Sequence, residues 1–257
     1  MIAPRGLRRA TRIAGFGAVT AAMLPGFLAH EALSGRGERE AVRERWVGAW
    51  CSTLLAIFGV AVVARGARPD RERGHLVVAN HRSTADILVL LRAFGGLMVS
   101  RADLAHWPLV GVAARSVGTL FVDRSDKASG AAAVRAIRTQ LARGSTVIVF
   151  PEGTTFPGDE VRRFHAGAFA AALHSGADVV PVGLAYETGS GAQFVNESFP
   201  AHLKRMAGAD PSRVAVCVGA PIPVTRGGRA ASLRDAAQAE VQRLVHDARR
   251  VVDAPSS

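Results

Sequence analysis

The segment Val77-Val-Ala-Asn-His-Arg-Ser-Thr-Ala-Asp86 runs from an aliphatic stretch through a polar turn to the start of a second apolar stretch. Residues 75–79 predict a buried strand, because strands that are covered on both faces form near-continuous apolar runs. Residues 86–93 are mostly apolar and predict a helix. A strand that passes through a polar turn into a helix is the repeating unit of an α/β sheet.

The same alternation continues along the rest of the chain. Further strands are predicted at 97–100, 119–123, 146–150, 179–186 and 214–218, and further helices at 131–142, 166–174 and 233–251. This order predicts an α/β fold, a layered parallel or mixed sheet flanked by helices, over residues 74–257. In such folds the functional groups usually lie in loops at the ends of strands.

Two uncharged apolar stretches, 13–29 and 46–64, precede this domain and are separated by a charged run at 36–45. As a helix, the second would be about 28 Å long, close to the thickness of a bilayer core. We predict that residues 1–73 form an apolar two-helix membrane hairpin, with Trp46 and Trp50 as interfacial anchors. Arginines flank its outer ends and favour the cytoplasmic side for both: Arg5, Arg8, Arg9, Arg12, Arg65, Arg68, Arg71 and Arg73.

Two alternatives compete with the membrane hairpin. The first stretch could be a signal peptide, although no convincing cleavage site follows it. The hairpin could also be buried against the α/β domain.

Composition limits the class of partner. The 257-residue chain has 32 Lys+Arg against 21 Asp+Glu, a formal net charge of +11. This excess suits anionic partners such as lipid headgroups or phosphorylated substrates. We expect no nucleic-acid binding, because the chain lacks a basic-aromatic cluster and a helix-turn-helix signature. Cys51 and Cys217 form neither a disulfide framework nor a metal-ligand spacing, so we expect no metal and a reducing compartment.

His81 and Asp86 are the candidate catalytic pair. A spacing of five across a turn lets the carboxylate reach one imidazole nitrogen while the other faces a cleft. An imidazole titrates near neutral pH and can remove a proton from a hydroxyl, and a carboxylate fixes its tautomer. In the competing interpretation, Asn80 and Asp86 are turn and capping residues and His81 is an ordinary exposed residue.

Three later segments add candidate substrate contacts. In 118–124 a predicted strand delivers Arg124, a potential phosphate or carboxylate clamp. In 149–155 a buried strand runs into Pro151, Glu152 and Gly153, where glycine permits a positive φ. In 179–183 Pro181 removes a backbone donor and shapes an apolar wall. Each also has a plain structural interpretation, namely a surface ion pair, a tight turn and an edge strand.

Together these four segments resemble the glycerolipid acyltransferase family, which includes 1-acylglycerol-3-phosphate and lyso-ornithine-lipid acyltransferases. The family's first block corresponds to Asn80, His81, Ser83 and Asp86, and its later blocks correspond to 121–124, 150–154 and 180–182. The match spans roughly residues 75–220. The apolar hairpin resembles the two-helix membrane unit of bacterial members.

The resemblance implies transfer of a fatty acyl group from acyl-CoA or acyl carrier protein to the hydroxyl of a lysolipid. The implied acceptor is 1-acylglycerol-3-phosphate, giving phosphatidate at the cytoplasmic face of the inner (plasma) membrane. It also implies membrane lipids as partners and no metal, cofactor or covalent acyl-enzyme. His81 and Asp86 would be catalytic, and the implied substrate-binding residues are Asn80, Ser83, Arg124, Phe150, Pro151, Glu152, Gly153, Thr154 and Pro181.

Three alternatives remain open at this stage. They are acylation of another lysolipid such as lyso-ornithine lipid, acyl transfer between phospholipids without a thioester, and lipid-surface binding without catalysis. Two departures from the family pattern bear on the first. Thr84-Ala85 stands where many members carry an aromatic residue, and His165 stands where many carry a lysine. Arg162 and Arg163 are the candidate replacements for that lysine's charge.

Overall fold

The computed structural model describes residues 4–70, 73–107, 110–123, 126–225 and 227–254. The helices in these ranges are α1 (Arg5–Leu33), α2 (Arg39–Phe58), α3 (Ala85–Phe94), α4 (Val110–Ser116), α5 (Lys127–Ala142), α6 (Gly167–Ser175), α7 (Phe199–Gly208) and α8 (Ala230–Asp253). The strands are β1 (Val60–Arg65), β2 (Leu76–Ala79), β3 (Leu97–Arg101), β4 (Leu120–Val122), β5 (Val147–Val149), β6 (Val179–Tyr186) and β7 (Ser212–Val218).

The strands form one seven-stranded sheet in the order β1-β7-β6-β2-β5-β3-β4. Strands β6 and β7 are antiparallel, and the other neighbouring pairs are parallel. The predicted mixed α/β sheet is therefore confirmed, and all six predicted strands are present. The prediction missed β1, and it also missed α4 and α7.

Helices cover both faces of the sheet, which explains why β2 is apolar at every position. Val77 and Ala79 pack towards α2, α3 and α7. Leu76 and Val78 point the other way, towards α5, α6 and α8. All four side chains are fully buried. Because successive residues of a strand face opposite sides, a strand in the middle layer needs an unbroken apolar run.

The second apolar stretch, 46–64, does not form a single helix, so that prediction is wrong. Helix α2 ends at Phe58, and Gly59 adopts the left-handed conformation with φ of 69°. The next residues, rich in valine, form β1 and pair in parallel with β7 from Val60 to Arg65. Glycine at the helix end and β-branched residues after it both favour this change from helix to strand. The buried side of α2 packs on the sheet through Val47, Cys51, Leu54, Leu55 and Phe58.

The first apolar stretch forms α1, an unbroken helix of 29 residues that includes Pro25. Among the described residues it is the one helix that is long and apolar enough to cross a membrane, with a mean hydropathy of 1.4 in its most apolar window. Only 11% of that window is buried in the protein. An apolar amino-terminal helix is thus present as predicted.

Two tryptophans of α2 fasten it to α1. The indole nitrogen of Trp46 donates to Nδ1 of His30 at 3.1 Å, and that of Trp50 donates to Oγ1 of Thr20 at 3.0 Å. Both were predicted to anchor the chain at the membrane interface. In the structure their N–H groups join the two helices instead of facing outwards.

Arginines of α1 hold this helix to the α/β domain. The guanidinium of Arg8 donates to the carbonyl oxygen of Gly208 at 2.9 and 3.2 Å. Arg12 is 7% exposed and donates to the carbonyl oxygen of Ala209 at 2.7 Å. These carbonyls end α7, where a helix leaves acceptors unpaired and carries partial negative charge. Two of the predicted flanking arginines therefore have structural partners in the domain.

Candidate active site

Sheet topology brings the first and third sequence segments together. Strand β2 pairs in parallel with β5, so their carboxyl ends meet at the same edge of the sheet. The turn at 80–84 follows β2, and the turn at 150–154 follows β5. Residues that are 70 positions apart in sequence thus become neighbours, as expected for functional groups in an open α/β sheet.

His81 and Asp86 form the pair that the sequence predicted. Nδ1 of His81 lies 2.9 Å from Oδ2 of Asp86. The side chain of His81 is 15% exposed, whereas that of Asp86 is fully buried. The His81 ring stacks on Phe150 with the ring centroids 3.9 Å apart and the planes 9° from parallel. No described group bonds to Nε2 of His81, so this nitrogen is available to a substrate.

Asp86 accepts three further hydrogen bonds. Its Oδ2 accepts from the backbone nitrogens of Arg82 at 2.6 Å and Ser83 at 2.7 Å. Its Oδ1 accepts from the hydroxyl of Tyr186 at 2.6 Å. Asp86 also lies in the first turn of α3, where the helix dipole favours negative charge. A buried carboxylate requires such partners, and here they keep it aimed at His81.

Strand β6 supplies one wall of the site because it is longer than its neighbour β2. Its last four residues run past the end of β2 and alongside the turn at 80–84. There the side-chain amide of Asn80 donates to the carbonyl of Leu184 at 2.9 Å and accepts from its nitrogen at 2.8 Å. Tyr186 ends the strand. Burial, followed by the charge of Asp86, raises the pKa of Tyr186 well above its usual value.

Arg82 and Glu152 form a buried ion pair beneath the site. The guanidinium of Arg82 meets the carboxylate of Glu152 at 2.8 and 3.0 Å. Glu152 also accepts from the backbone nitrogen of His81 at 2.7 Å and that of Arg162 at 2.8 Å. Both carboxylate oxygens are thus occupied by protein donors. The structure places Glu152 as a support of the turn, and its predicted contact with substrate stays a prediction.

The remaining predicted residues fall into two groups. Ser83 and Pro181 are buried: the Ser83 hydroxyl donates to the carbonyl of Ala192 at 2.6 Å, and the Pro181 carbonyl accepts from Gly219 at 2.9 Å. Pro181 precedes the stretch that pairs with β7, so its missing N–H interrupts no ladder bond.

The turn after β5 holds the second group. Pro151 is buried and its carbonyl accepts from His165 at 2.9 Å. Gly153 has the predicted positive φ, 84°, and Thr154 is exposed. The structure therefore brings the residues of 150–154 beside His81.

The cationic residues that could contact an acceptor headgroup are Arg124, Arg162, Arg163 and His165. Arg124 lies outside the described residues, two positions after β4 ends. Arg162, Arg163 and His165 are exposed. The Arg162 guanidinium lies 5.6 Å from the ring centre of Phe156, whose backbone nitrogen donates to the carbonyl of His81 at 3.1 Å. The Arg162 backbone nitrogen also donates to Glu152, which accepts from the His81 backbone nitrogen, so Arg162 lies beside the turn at 150–154.

Three residues of the network were not predicted. Arg82 occupies a variable position inside the first block, and Tyr186 ends an apolar strand, so neither carried a local signal. His202 of α7 is 2% exposed. Its Nε2 accepts from the backbone nitrogen of Thr84 at 3.2 Å, and its Nδ1 lies 3.0 Å from Glu197. These contacts are tertiary and depend on the fold.

Within the described residues, no group of three or more His, Cys, Asp or Glu side chains is placed to hold a metal ion.

A histidine–carboxylate pair with one free imidazole nitrogen can accept and return a proton. The site is therefore suited to general base catalysis on a hydroxyl.

Comparison with known proteins agrees with this chemistry. A family model described as Acyltransferase matches residues 61–185. The lyso-ornithine lipid O-acyltransferase of Pseudomonas aeruginosa is 34% identical over 77% of this chain and 78% of its own length. The lyso-ornithine lipid O-acyltransferase of Rhizobium meliloti is 36% identical over 50% of this chain and 44% of its own length.

The 1-acyl-sn-glycerol-3-phosphate acyltransferase of Neisseria gonorrhoeae is 29% identical over 61% of this chain and 62% of its own length. The crystal structure of PlsC, the 1-acyl-sn-glycerophosphate (LPA) acyltransferase of Thermotoga maritima, covers 98% of this chain and 99% of that chain. Its TM-score is 0.77 at 22% identity, which shows a common fold. On the match to the Pseudomonas protein and to the family model, the chain belongs to the acyltransferase family of lyso-ornithine lipid and 1-acyl-sn-glycerol-3-phosphate acyltransferases.

Proposed function

We propose that the protein transfers a fatty acyl group from acyl-CoA or acyl carrier protein to the free hydroxyl of a lysolipid. The observation that carries this proposal is the His81–Asp86 pair, in which a partly exposed imidazole is held at 2.9 Å by a fully buried carboxylate. The names of the relatives supply the substrate class, and the geometry supplies the base.

The proposed reaction needs one proton acceptor. Nε2 of His81 takes the proton of the lysolipid hydroxyl as the oxygen attacks the carbonyl carbon of the thioester. The C–S bond then breaks, an ester bond remains, and the imidazolium returns the proton to the thiolate. Proton transfer to a positioned base such as His81 typically contributes about 10²–10⁴ in rate. Asp86 holds the imidazole in one tautomer and stabilises the imidazolium between these steps. The proposed route uses no metal, cofactor or covalent acyl-enzyme.

The acceptor headgroup depends on the cations around the site. Arg82 cannot bind a phosphate while its guanidinium donates to Glu152, Gly158 and Glu160. Arg162 and Arg163 are exposed near the turn, and the sequence adds Arg124. These three are the proposed clamp for 1-acylglycerol-3-phosphate. Lyso-ornithine lipid is the second candidate, because the lyso-ornithine relatives are the more similar ones and because His165 replaces a fixed cation.

The proposed location is the cytoplasmic face of the inner membrane. Helix α1 offers an apolar surface with little burial, and a lysolipid acceptor resides in a bilayer. We propose that α1 and α2 together form the membrane-associated unit, with α1 providing the greater apolar contact. The predicted range of residues 1–73 is too long for this unit, because β1 (Val60–Arg65) pairs with β7 and belongs to the sheet of the α/β domain.

A thiol-release assay tests the proposal directly. The purified protein in detergent would receive palmitoyl-CoA with lysophosphatidate, lyso-ornithine lipid, another lysophospholipid or no acceptor. We expect release that requires one acceptor, and loss of that release in His81→Ala. The matched control is His174→Ala, which removes an exposed histidine of α6 and should keep wild-type activity.

Three outcomes would contradict the proposal. Product formed equally without any thioester donor, including acyl carrier protein, would favour transfer between phospholipids. Turnover retained in His81→Ala would remove the assigned base. Vesicle binding without turnover on any donor and acceptor would favour a lipid-surface protein.

A further inference from the structure

Tyr186 is placed against the catalytic carboxylate and has no part in the reaction as proposed. Its hydroxyl lies 2.6 Å from Oδ1 of Asp86, and its side chain is fully buried. It is also the single tyrosine of the chain. Tyr186 lies outside the four segments that resemble the acyltransferase family.

We propose that Tyr186 is a positioning residue for acyl transfer, which fixes Asp86 and sets how strongly this carboxylate holds the imidazolium of His81. The inference rests on the proposed function, because it assigns a role within the same reaction. Tyr186 touches Asp86 and acts on the reacting atoms only through it.

The division of hydrogen bonds on Asp86 supports this role. Oδ2 accepts from Nδ1 of His81 and from the backbone nitrogens of Arg82 and Ser83. Among the described residues, only Tyr186 donates to Oδ1. Without it, Oδ1 would be buried with no partner, and the carboxylate could turn so that Oδ1 shares the donors of Oδ2. The tyrosine hydroxyl thus fixes which oxygen faces the histidine.

Tyr186 is itself held rigidly. It pairs with Val214 at the end of the β6–β7 ladder. Its ring packs in the core cluster that also contains Ala85, Val89 and Met206. A donor on an interior strand cannot follow the carboxylate if that moves. The turn at 80–86 is therefore held through Asp86 by β6 and through the His81 backbone by Glu152.

The charge balance gives the expected direction of the effect. A hydrogen bond to a carboxylate disperses its negative charge and favours the ionised form. Removing the tyrosine hydroxyl leaves more of that charge directed at His81, so the imidazolium becomes more stable. The acid limb of the pH profile, which reports the essential base of the free enzyme, should then lie at higher pH.

The first measurement is the pH profile of Tyr186→Phe, which removes one oxygen and keeps the ring. We expect kcat to fall about tenfold, the loss of one hydrogen bond to a charged group. KM for both substrates should stay within about twofold, and the acid limb of kcat/KM should move to higher pH. The matched control is Ser145→Ala, which removes a hydroxyl of a buried residue at the amino end of β5, away from Asp86. It should reproduce the wild-type profile.

The second measurement does not depend on activity. Because Tyr186 is the sole tyrosine, the near-ultraviolet absorbance of tyrosinate reports its ionisation alone. Asp86→Asn removes the neighbouring negative charge, so tyrosinate should appear at lower pH than in the wild type.

The outcomes separate this inference from the proposed function. A fall of kcat that is equal at every pH, with an unmoved acid limb, would overturn the positioning role. The same holds if tyrosinate forms in the folded protein at the same pH with and without Asp86. If wild type and variants all lack acyl transfer while the titration shift is present, the contact stands and the proposed reaction fails.

Discussion

Arg82 and Glu152 join the first and third sequence segments through two hydrogen bonds of 2.8 and 3.0 Å, with both side chains almost completely removed from solvent. The pair lies directly beneath His81, since the same carboxylate accepts from the His81 backbone nitrogen. Two turns that follow neighbouring strands are thereby fixed to each other. The geometry of the proposed catalytic pair, His81 and Asp86, depends on this fixed relation.

Breaking the ion pair on one side should destabilise the protein strongly. In Glu152→Gln the guanidinium of Arg82 remains buried without its counter-charge, which typically costs about 3–5 kcal/mol. The midpoint of denaturant unfolding in detergent measures this loss. The matched control is Asp103→Asn, whose ion pair with Arg101 is more than half exposed and is worth about 1 kcal/mol or less. Equal destabilisation by the two variants would mean that the buried pair contributes no more than the exposed one.

The stack of Phe150 on His81 should matter for turnover more than for binding. Phe150→Leu keeps an apolar side chain but removes a ring contact worth about 0.5–1.5 kcal/mol, so the imidazole gains freedom. We expect kcat to fall about threefold to tenfold, with KM for acyl-CoA little changed. Steady-state kinetics with a fixed acceptor decide the point. A large rise in KM with unchanged kcat would instead assign Phe150 to substrate binding, the role predicted from the sequence.

Most of the sheet could be predicted because its strands carry local signals. Strand β2 is buried on both faces, so its apolar run is visible in the sequence. Strand β1 was missed because Gly59 and the valines after it continue an apolar helix without any polar interruption. Gly59 and the β-branched residues favour a strand locally, and the pairing with β7, about 150 residues later, stabilises it.

The site was predictable where its members lie close together in sequence. His81 and Asp86 are separated by one turn. Residues 150–154 are distant in sequence, but they correspond to another block of the acyltransferase family. Tyr186 and His202 reach the same turn from β6 and α7, at separations of 100 and 118 residues. Periodicity reports which face of an element is buried, but it does not report which buried polar group meets another.

Arg12 should stabilise the junction between α1 and the α/β domain. In Arg12→Ala the carbonyl of Ala209 at the end of α7 loses a charged donor, and a buried hydrogen bond of this kind contributes about 1.5–3 kcal/mol. We expect a lower unfolding midpoint with vesicle binding retained, because the apolar surface of α1 is unchanged. Arg36→Ala, which removes an exposed arginine between α1 and α2, is the control. Loss of vesicle binding in Arg12→Ala at wild-type stability would indicate that this arginine serves lipid contact.

His202 should make stability depend on pH in the weakly acid range. Burial, the largest cause, lowers the pKa of His202, although Glu197 on its Nδ1 side opposes the shift. Its Nε2 accepts from the Thr84 nitrogen and has no lone pair left once protonated. The unfolded chain takes up the proton below about pH 6.5, whereas the folded protein resists it.

The free energy of unfolding should therefore decrease as the pH falls below the pKa of His202 in the unfolded chain. The decrease ends once the pH is below the lowered pKa of His202 in the folded protein. Above about pH 6.5 His202 is neutral in both states and adds no pH dependence. In His202→Gln this component disappears, so the difference in stability between wild type and variant should shrink on acidification. Unfolding midpoints measured from pH 8 to pH 5 test this, with His174→Gln following the wild-type curve. A constant difference in stability between wild type and His202→Gln across this range would mean that His202 takes up its proton equally in the folded and unfolded states. The turn at 80–84 would then be held at Thr84 independently of pH.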